Sequence, residues 1–481
     1  MSTGASAGIP RVESDFVVVG AGFAGLTAAW RLSKHGSVIV LEARDRVGGR
    51  VFTGHLPDGT WLDFGGTWFG PDQKHAYALA AEMGIGTYPT YTKGDAALVL
   101  ADGKVVWHPG DITPEELCNL VGSAAVSGPA LAAFVSMYEQ VPPELPWTAP
   151  SAHHWDRQTY AAWVDAQRDG EDASLLQPLF TLMEGFFCCD PAEYSLLGAL
   201  YLIRSHEGIL RITGIQGGDQ QDRICGGAQS IANEIHRRLG GAVRLSSPVR
   251  RITQHGDGVE VVADTVVVRA KRAVVAMPPA VSGRIQYEPP LPAARAMLTE
   301  RVPFGEIIKV LIAYENAFWR QDGRSGSSTA VADPIGITFD GCTDAEDPKP
   351  GLLIAFAFGH HARALSLLSQ EDRRNTILGS LAKRFGPQAA TPIDGGYFEH
   401  DWSTDPWSGG GMIAHFPPGV LTNFGPALRE PTGFIHWAGS ESSSAFHCSI
   451  NAAIESGERV CREIVASLGG AAAGQAVTVT A

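Results

Sequence analysis

Apolar positions along the chain follow two rhythms, and the change from one to the other predicts its elements. Asp15-Phe-Val-Val-Val19 is a short unbroken apolar run, and Ser37-Val-Ile-Val-Leu41 is a second. Runs of this kind are strands of a parallel sheet covered on both faces. Leu26 to Lys34, between them, reads as a helix, so the first 41 residues predict a βαβ unit. Residues 91–160 break into Gly-, Pro- and Ala-rich pieces with weaker periodicity, and 185–210 reads as a helix apolar on one side. Val243 to Ala276 carries Val-rich strands separated by turn signals such as Gly256-Asp-Gly258. A last strand-to-helix passage runs from Phe434-Ile-His-Trp437 through a Gly/Ser turn into Ile450–Leu468, and Gly469 to Ala481 reads as a disordered tail.

Length changes this picture first. At 481 residues the chain exceeds what one hydrophobic core supports, so two or more lobes are expected. The 51 acidic residues against 37 Lys and Arg give a net charge of −14, which argues against nucleic acid or an anionic membrane as partner. There is no apolar stretch of membrane-spanning length and no basic-then-apolar leader. Seven cysteines (118, 188, 189, 225, 342, 448 and 461) form no CxxC pair and no metal-ligand spacing. A reduced, cytoplasmic chain without a metal is the expectation.

The candidate chemistry begins at Gly20-Ala-Gly-Phe-Ala-Gly25, a GxGxxG placed between strand and helix. Gly20 permits the tight turn, Gly22 lets backbone amides approach a pyrophosphate, and Gly25 lets helix and strand pack closely. Glu42 closes the second strand and is placed to accept two ribose hydroxyls. The next residues contain Arg44, Gly48, Gly49 and Arg50, which can wrap the pyrophosphate from its far side. Asp63-Phe-Gly-Gly-Thr-Trp68 adds Gly65, Gly66, Thr67 and Trp68, suited to backbone packing against a ring system. A cofactor buried along its whole length fits these features, and FAD is favoured over a diffusible nicotinamide.

Here the chain resembles the flavin-containing amine oxidase family, the group of the monoamine oxidases and the bacterial putrescine and cyclohexylamine oxidases. The resemblance runs from about residue 15 to 468. Besides the glycine-arginine segment, it rests on Arg301-Val-Pro-Phe-Gly-Glu-Ile-Ile-Lys-Val310 with Phe318-Trp-Arg320, and on Trp407-Ser-Gly-Gly-Gly-Met412 with Phe416-Pro-Pro-Gly419. It is completed by Trp437-Ala-Gly-Ser-Glu441 leading to Ala453-Ile-Glu-Ser-Gly-Glu-Arg459. It implies an α/β fold, a Rossmann-type FAD-binding domain with an inserted α+β substrate-binding domain. The expected division is 14–90, 220–300 and 400–468 for FAD, 91–219 and 301–399 for substrate, and 1–13 and 469–481 as flexible tails.

On this pattern Lys309 is the catalytic lysine that holds a water against flavin N5, the alternative being a surface lysine after a strand. Trp402 lies by the flavin or serves as ordinary core. Val249 packs near the adenine. Gly439, Ser440, Glu441, Ser449 and Ile450 face the isoalloxazine, with a helix N-terminus stabilising the reduced ring. Two departures from the family matter. Gly411 stands where monoamine oxidases carry a flavin-bonding cysteine, so FAD is expected to be non-covalent. Met412 and Ser449 stand where those enzymes have two tyrosines flanking the substrate nitrogen, which leaves room for a bulkier or more polar amine. His447 and Cys448 flank the second position and either replace its polar contacts or pack the helix. Candidate pocket residues are Phe187, Leu202, Ile215, Gln220, Phe356, Met412 and Ser449, with Arg211 to Gln216 at the cavity entrance. His360 and His361 read as structural.

The implied reaction is oxidation of a neutral amine to an imine, which water hydrolyses to a carbonyl, with oxygen as acceptor and hydrogen peroxide as product. An amine dehydrogenase with another acceptor is one alternative, and an L-amino-acid oxidase is another. The latter needs an arginine for the substrate carboxylate, and Arg204, Arg211 and Arg223 are equal candidates. A lipid desaturase calls for a long apolar docking face that the sequence lacks. A non-catalytic escort protein of the same fold calls for a degraded flavin segment or a missing lysine. The partners expected are a small amine and O2, with no nucleic acid or membrane, and a homodimer is compatible with the sequence.

Overall fold

A computed structural model describes residues 9–110, 124–167, 183–330, 332–343, 345–346 and 348–475. Arg11–Val19 and Val38–Leu41 are parallel neighbours with helix Phe23–Leu32 between them, the βαβ unit predicted from the apolar runs. Arg11–Val19 also pairs in parallel with Val267–Ala276, which pairs in parallel with Ile435–Ala438. The eight-stranded sheet runs in the order Val243–Arg244, Val38–Leu41, Arg11–Val19, Val267–Ala276, Val259–Ala263, Val249–Gln254, Gln286–Glu288, with Ile435–Ala438 joining at Val267–Ala276. The central strands are buried, because helices cover them: Phe23–Leu32 and the long Ile450–Gln475 pack together in one hydrophobic cluster.

A second sheet has seven strands, in the order Tyr397–Asp401, Ile307–Tyr314, Gly351–Phe358, Ile337–Asp340, Arg324–Ala330, Asp95–Val99 and Val105–Pro109. Ile307–Tyr314 is buried at every position and pairs antiparallel on both sides. A helical layer including Leu196–Ser205 forms its own apolar cluster with Phe187, Tyr194 and Phe416. Together these make a two-domain α/β fold, a Rossmann-type dinucleotide domain and a substrate domain, as the sequence implies.

Several expected boundaries move. The last helix continues past 468 to Gln475, so the tail drawn at 469–481 begins too early, and 476–481 lie outside the described residues. At the other end Arg11–Glu13, drawn as tail, extend the first strand by pairing with Val267–Arg269, while residues 1–8 lie outside the description. A limit at residue 400 falls inside strand Tyr397–Asp401, whose pairing is to the second sheet.

Candidate active site

The carboxyl ends of four parallel strands converge on one cavity, whose open space, mouth included, is about 1920 Å³. Val19–Gly20, Leu41–Glu42, Ala276–Met277 and Gly439 line it at those strand ends, where open α/β sheets bind ligands. Helix Phe23–Leu32 starts at this point and has no side-chain cap. Its first amides and partial positive charge are therefore free for an anion. Gly25 is not part of the lining. Its role lies underneath: a Cβ there would stand 1.9 Å from the Gly20 carbonyl, so only glycine lets helix and turn meet.

Charged groups along this half of the cavity are held by the protein itself. Glu42 is buried and accepts from the Ala21 N–H at 2.6 Å and from the Arg44 N–H at 2.9 Å. The Arg44 guanidinium donates to Asp405 at 2.7 Å and to Ser408 Oγ at 2.8 Å. Arg50 pairs with buried Glu441 at 2.6 Å and donates to Ser440 Oγ at 3.0 Å. Gly48, Gly49, Gly65, Gly66, Thr67, Val249, Ser440, Ser449 and Ile450 also line the cavity.

Lys309 lies within strand Ile307–Tyr314 and is almost fully buried, which removes the surface-lysine alternative. Its Nζ donates to the Gly65 carbonyl at 2.9 Å and to Thr67 Oγ1 at 2.6 Å, and lies 5.2 Å from the ring centres of both Trp68 and Phe356. Burial drives its pKa down to about 7, with the nearby Asp63 carboxylate opposing that fall. Trp402 also lines the cavity and anchors its Nε1–H on the Phe64 carbonyl at 2.9 Å. Gly411 also lines the cavity, and a Cβ there would come within 2.9 Å of Ile307 Cγ2 and 3.3 Å of Trp402 Cβ.

The cavity also takes in Gln220, Phe356, Met412, His447, Cys448 and Ser449, all singled out in the sequence. Three expected pocket residues are elsewhere. Phe187 is core, its ring 3.9 Å from that of Tyr194. Leu202 is buried in helix Leu196–Ser205, and Ile215 is buried outside the lining. Phe186 and Ile212 take the lining positions. A one-residue step on a helix turns a side chain by about 100°, which separates Phe186 from Phe187.

Sequence reasoning also missed His206 and Asp219. Both are buried, both line the cavity, and His206 Nδ1 lies 2.5 Å from Asp219 Oδ2. The other ring nitrogen of His206 lies 2.9 Å from the His447 carbonyl oxygen. No motif joins positions 206, 219 and 447; only the fold brings them together. His447 is buried with its ring 4.9 Å from that of Tyr201, and burial lowers its pKa to about 3, so it is neutral. Neither Arg204, Arg211 nor Arg223 lines the cavity. Arg211 pairs with Asp72, and Arg223 donates to the carbonyls of Gly341 and Cys342. His360 sits on helix Gly359–Ser366 against Glu184, and neither it nor His361 lines the cavity.

A glycine-rich strand-to-helix turn and a buried lysine on one cavity fit a flavin-dependent oxidoreductase. The family model for flavin-containing amine oxidoreductases matches residues 23–465, and the chain belongs to that family. It is a FAD-dependent enzyme that oxidises amines. It is 37% identical over 455 residues to AofH of Mycobacterium tuberculosis, whose name places it among flavin-containing monoamine oxidases, covering 94% of this chain and 97% of that one. Among solved structures it is similar to a putrescine oxidase bound to putrescine, with 32% identity, a TM-score of 0.87 and coverage of 95% of this chain and 100% of that one. It is equally similar to cyclohexylamine oxidase from Brevibacterium oxydans, with 30% identity, a TM-score of 0.88 and the same coverage.

Proposed function

We propose that the cavity holds FAD non-covalently along its whole length and oxidises a neutral amine in the chamber beside Lys309, with oxygen as acceptor and hydrogen peroxide as product. The observation that carries this reading is Lys309, a buried lysine on the cavity wall whose pKa is about 7. Bound FAD supplies the electron sink for the two electrons and hydrogen that leave the carbon next to nitrogen.

The chain supplies the rest. The uncapped helix start and the backbone of Gly20 to Gly22 would hold the pyrophosphate, and Glu42 retains lone pairs for the ribose hydroxyls. Val249 would lie near the adenine, with Arg44, Gly48, Gly49 and Arg50 across the pyrophosphate. Gly65 to Trp68, Trp402 and Gly439 to Glu441 would surround the ring system, with Ser449 and Ile450 at the start of the last helix. With Gly411 close against Ile307 and Trp402, that position has no side chain to bond to the flavin.

The apolar chamber residues Phe186, Ile212, Phe356 and Met412 disfavour an ammonium ion, so the neutral amine is the form that enters. Lys309 titrates near neutrality while two of its hydrogen bonds hold it in place. It can therefore hold a water and pass a proton to oxygen as charge develops there. The sheet memberships support a division into a discontinuous FAD domain and a substrate domain built from the two intervening stretches. The six described cysteines are all free, which supports a reducing, cytoplasmic setting.

The test is an anaerobic panel of amines added to the yellow protein, followed by air. Bleaching by an amine, with colour and peroxide returning in air, is the expected result. Bleaching without peroxide assigns another acceptor, and a protein that no amine bleaches contradicts the proposal.

A further inference from the structure

We infer that His206 neutralises Asp219, and that this pair makes the chamber select amines with a single cationic centre over diamines. The inference rests on the reading of the cavity as the site of amine oxidation.

Proton counting leads to it. One nitrogen of His206 faces a carbonyl oxygen, which only accepts, so that nitrogen carries a hydrogen. The other faces a carboxylate oxygen at 2.5 Å, a contact that needs a second proton between the two atoms. Whichever of the two atoms carries that proton, the pair is neutral as a unit. Its surroundings fix this state: Asp219 Oδ1 also accepts from Gln73 Nε2 at 3.2 Å, and both partners are buried.

Asp219 and Lys309 both line the cavity. It is three residues before strand Asp222–Ile224, which pairs with Trp68–Phe69, and the Trp68 ring borders the Lys309 ammonium. An unpaired carboxylate here would be a ready partner for the far ammonium of a diamine. Each described carboxylate lining the cavity has a cationic neighbour: Glu42 lies 3.8 Å from Arg44, Glu441 2.6 Å from Arg50, and Asp219 2.5 Å from His206. The remaining cation is Lys309, which repels a second positive charge when protonated, and His447 is neutral. A second ammonium would enter an apolar chamber without a counter-charge, and desolvation opposes that.

The test compares hexylamine with 1,6-diaminohexane, equal in length and differing in one charged end. Flavin bleaching rates and anaerobic flavin difference spectra are read for wild type, His206→Leu, His206→Asn and the double variant His206→Leu/Asp219→Asn. Wild type is expected to favour hexylamine in kcat/KM and in binding by about tenfold or more. Either single variant frees the carboxylate and moves the ratio toward the diamine by about tenfold or more. The double variant removes that carboxylate and returns the ratio toward wild type, which simple loss of packing would not do. A wild-type preference for the diamine, an unchanged ratio in the single variants, or a shift that persists in the double variant overturns the inference. Should His206→Leu fail to retain flavin, the shift in His206→Asn decides it. Failure of the amine-oxidising reading is distinct: neither compound would bleach the flavin in any of these proteins.

Discussion

At Lys309 burial and chemistry pull in opposite directions. Desolvation pushes the group toward its neutral form, and the Asp63 carboxylate pulls it back. The charge that oxygen needs is present below about pH 7 and falls away above it. Reoxidation of reduced enzyme by oxygen is thus expected to slow as pH rises through 7, as stopped-flow absorbance would record. Lys309→Met should slow reoxidation by about 10²–10³ at low pH and remove the pH dependence, while anaerobic reduction by amine continues. Stability follows the opposite trend. Between about 7 and the unfolded lysine value of about 10.4 the unfolded chain binds the extra proton, so this residue makes stability rise with pH. Among single residues, Glu42 and Lys309 fall inside the sequence motifs, and both line the cavity. His206 and Asp219 were not legible, because their significance lies in a contact between segments. Phe187 was one residue off, because neighbouring helix positions point to different sides.

The first βαβ unit was legible in its apolar runs, since a strand covered on both faces has no polar side to show. Its stability hangs on one packing contact. Gly25→Ala would drive a methyl group into the Gly20 carbonyl, and the expected product is colourless protein with a lowered melting temperature. A second tie joins helix Phe23–Leu32 to the last helix: Arg31 pairs with Glu82 at 2.7 Å and with Glu458 at 2.9 Å, and His75 pairs with Glu458 at 2.9 Å. The Glu458 bond raises the His75 pKa, and the His75 bond lowers that of Glu458. The His75 contribution is full below the unfolded histidine value and is lost as pH rises through the raised one. The groups are partly exposed, so Glu458→Gln is expected to cost about 1 kcal/mol or less. In denaturant titrations that difference should shrink as pH rises past neutrality, without vanishing, because the Arg31 pair survives.

Across the molecule, each of the two large sheets draws strands from distant parts of the chain, and the cavity takes residues from Val19 to Ala453. The fold class was legible because the nucleotide motif, the lysine strand and the last strand-to-helix passage each carry their own local signal. The limits between domains were less so, since a strand such as Tyr397–Asp401 reads alike whichever sheet it joins. The central claim is that amine-derived electrons leave through a flavin held in this cavity without a covalent bond. Anaerobic titration of the purified protein with an amine and with its form deuterated beside nitrogen, followed by acid precipitation, tests it most directly. The account predicts that the flavin bands bleach, more slowly with deuterium, and that all the flavin is then found in the supernatant. Bands that no amine alters, or flavin that stays with the pellet, would contradict it.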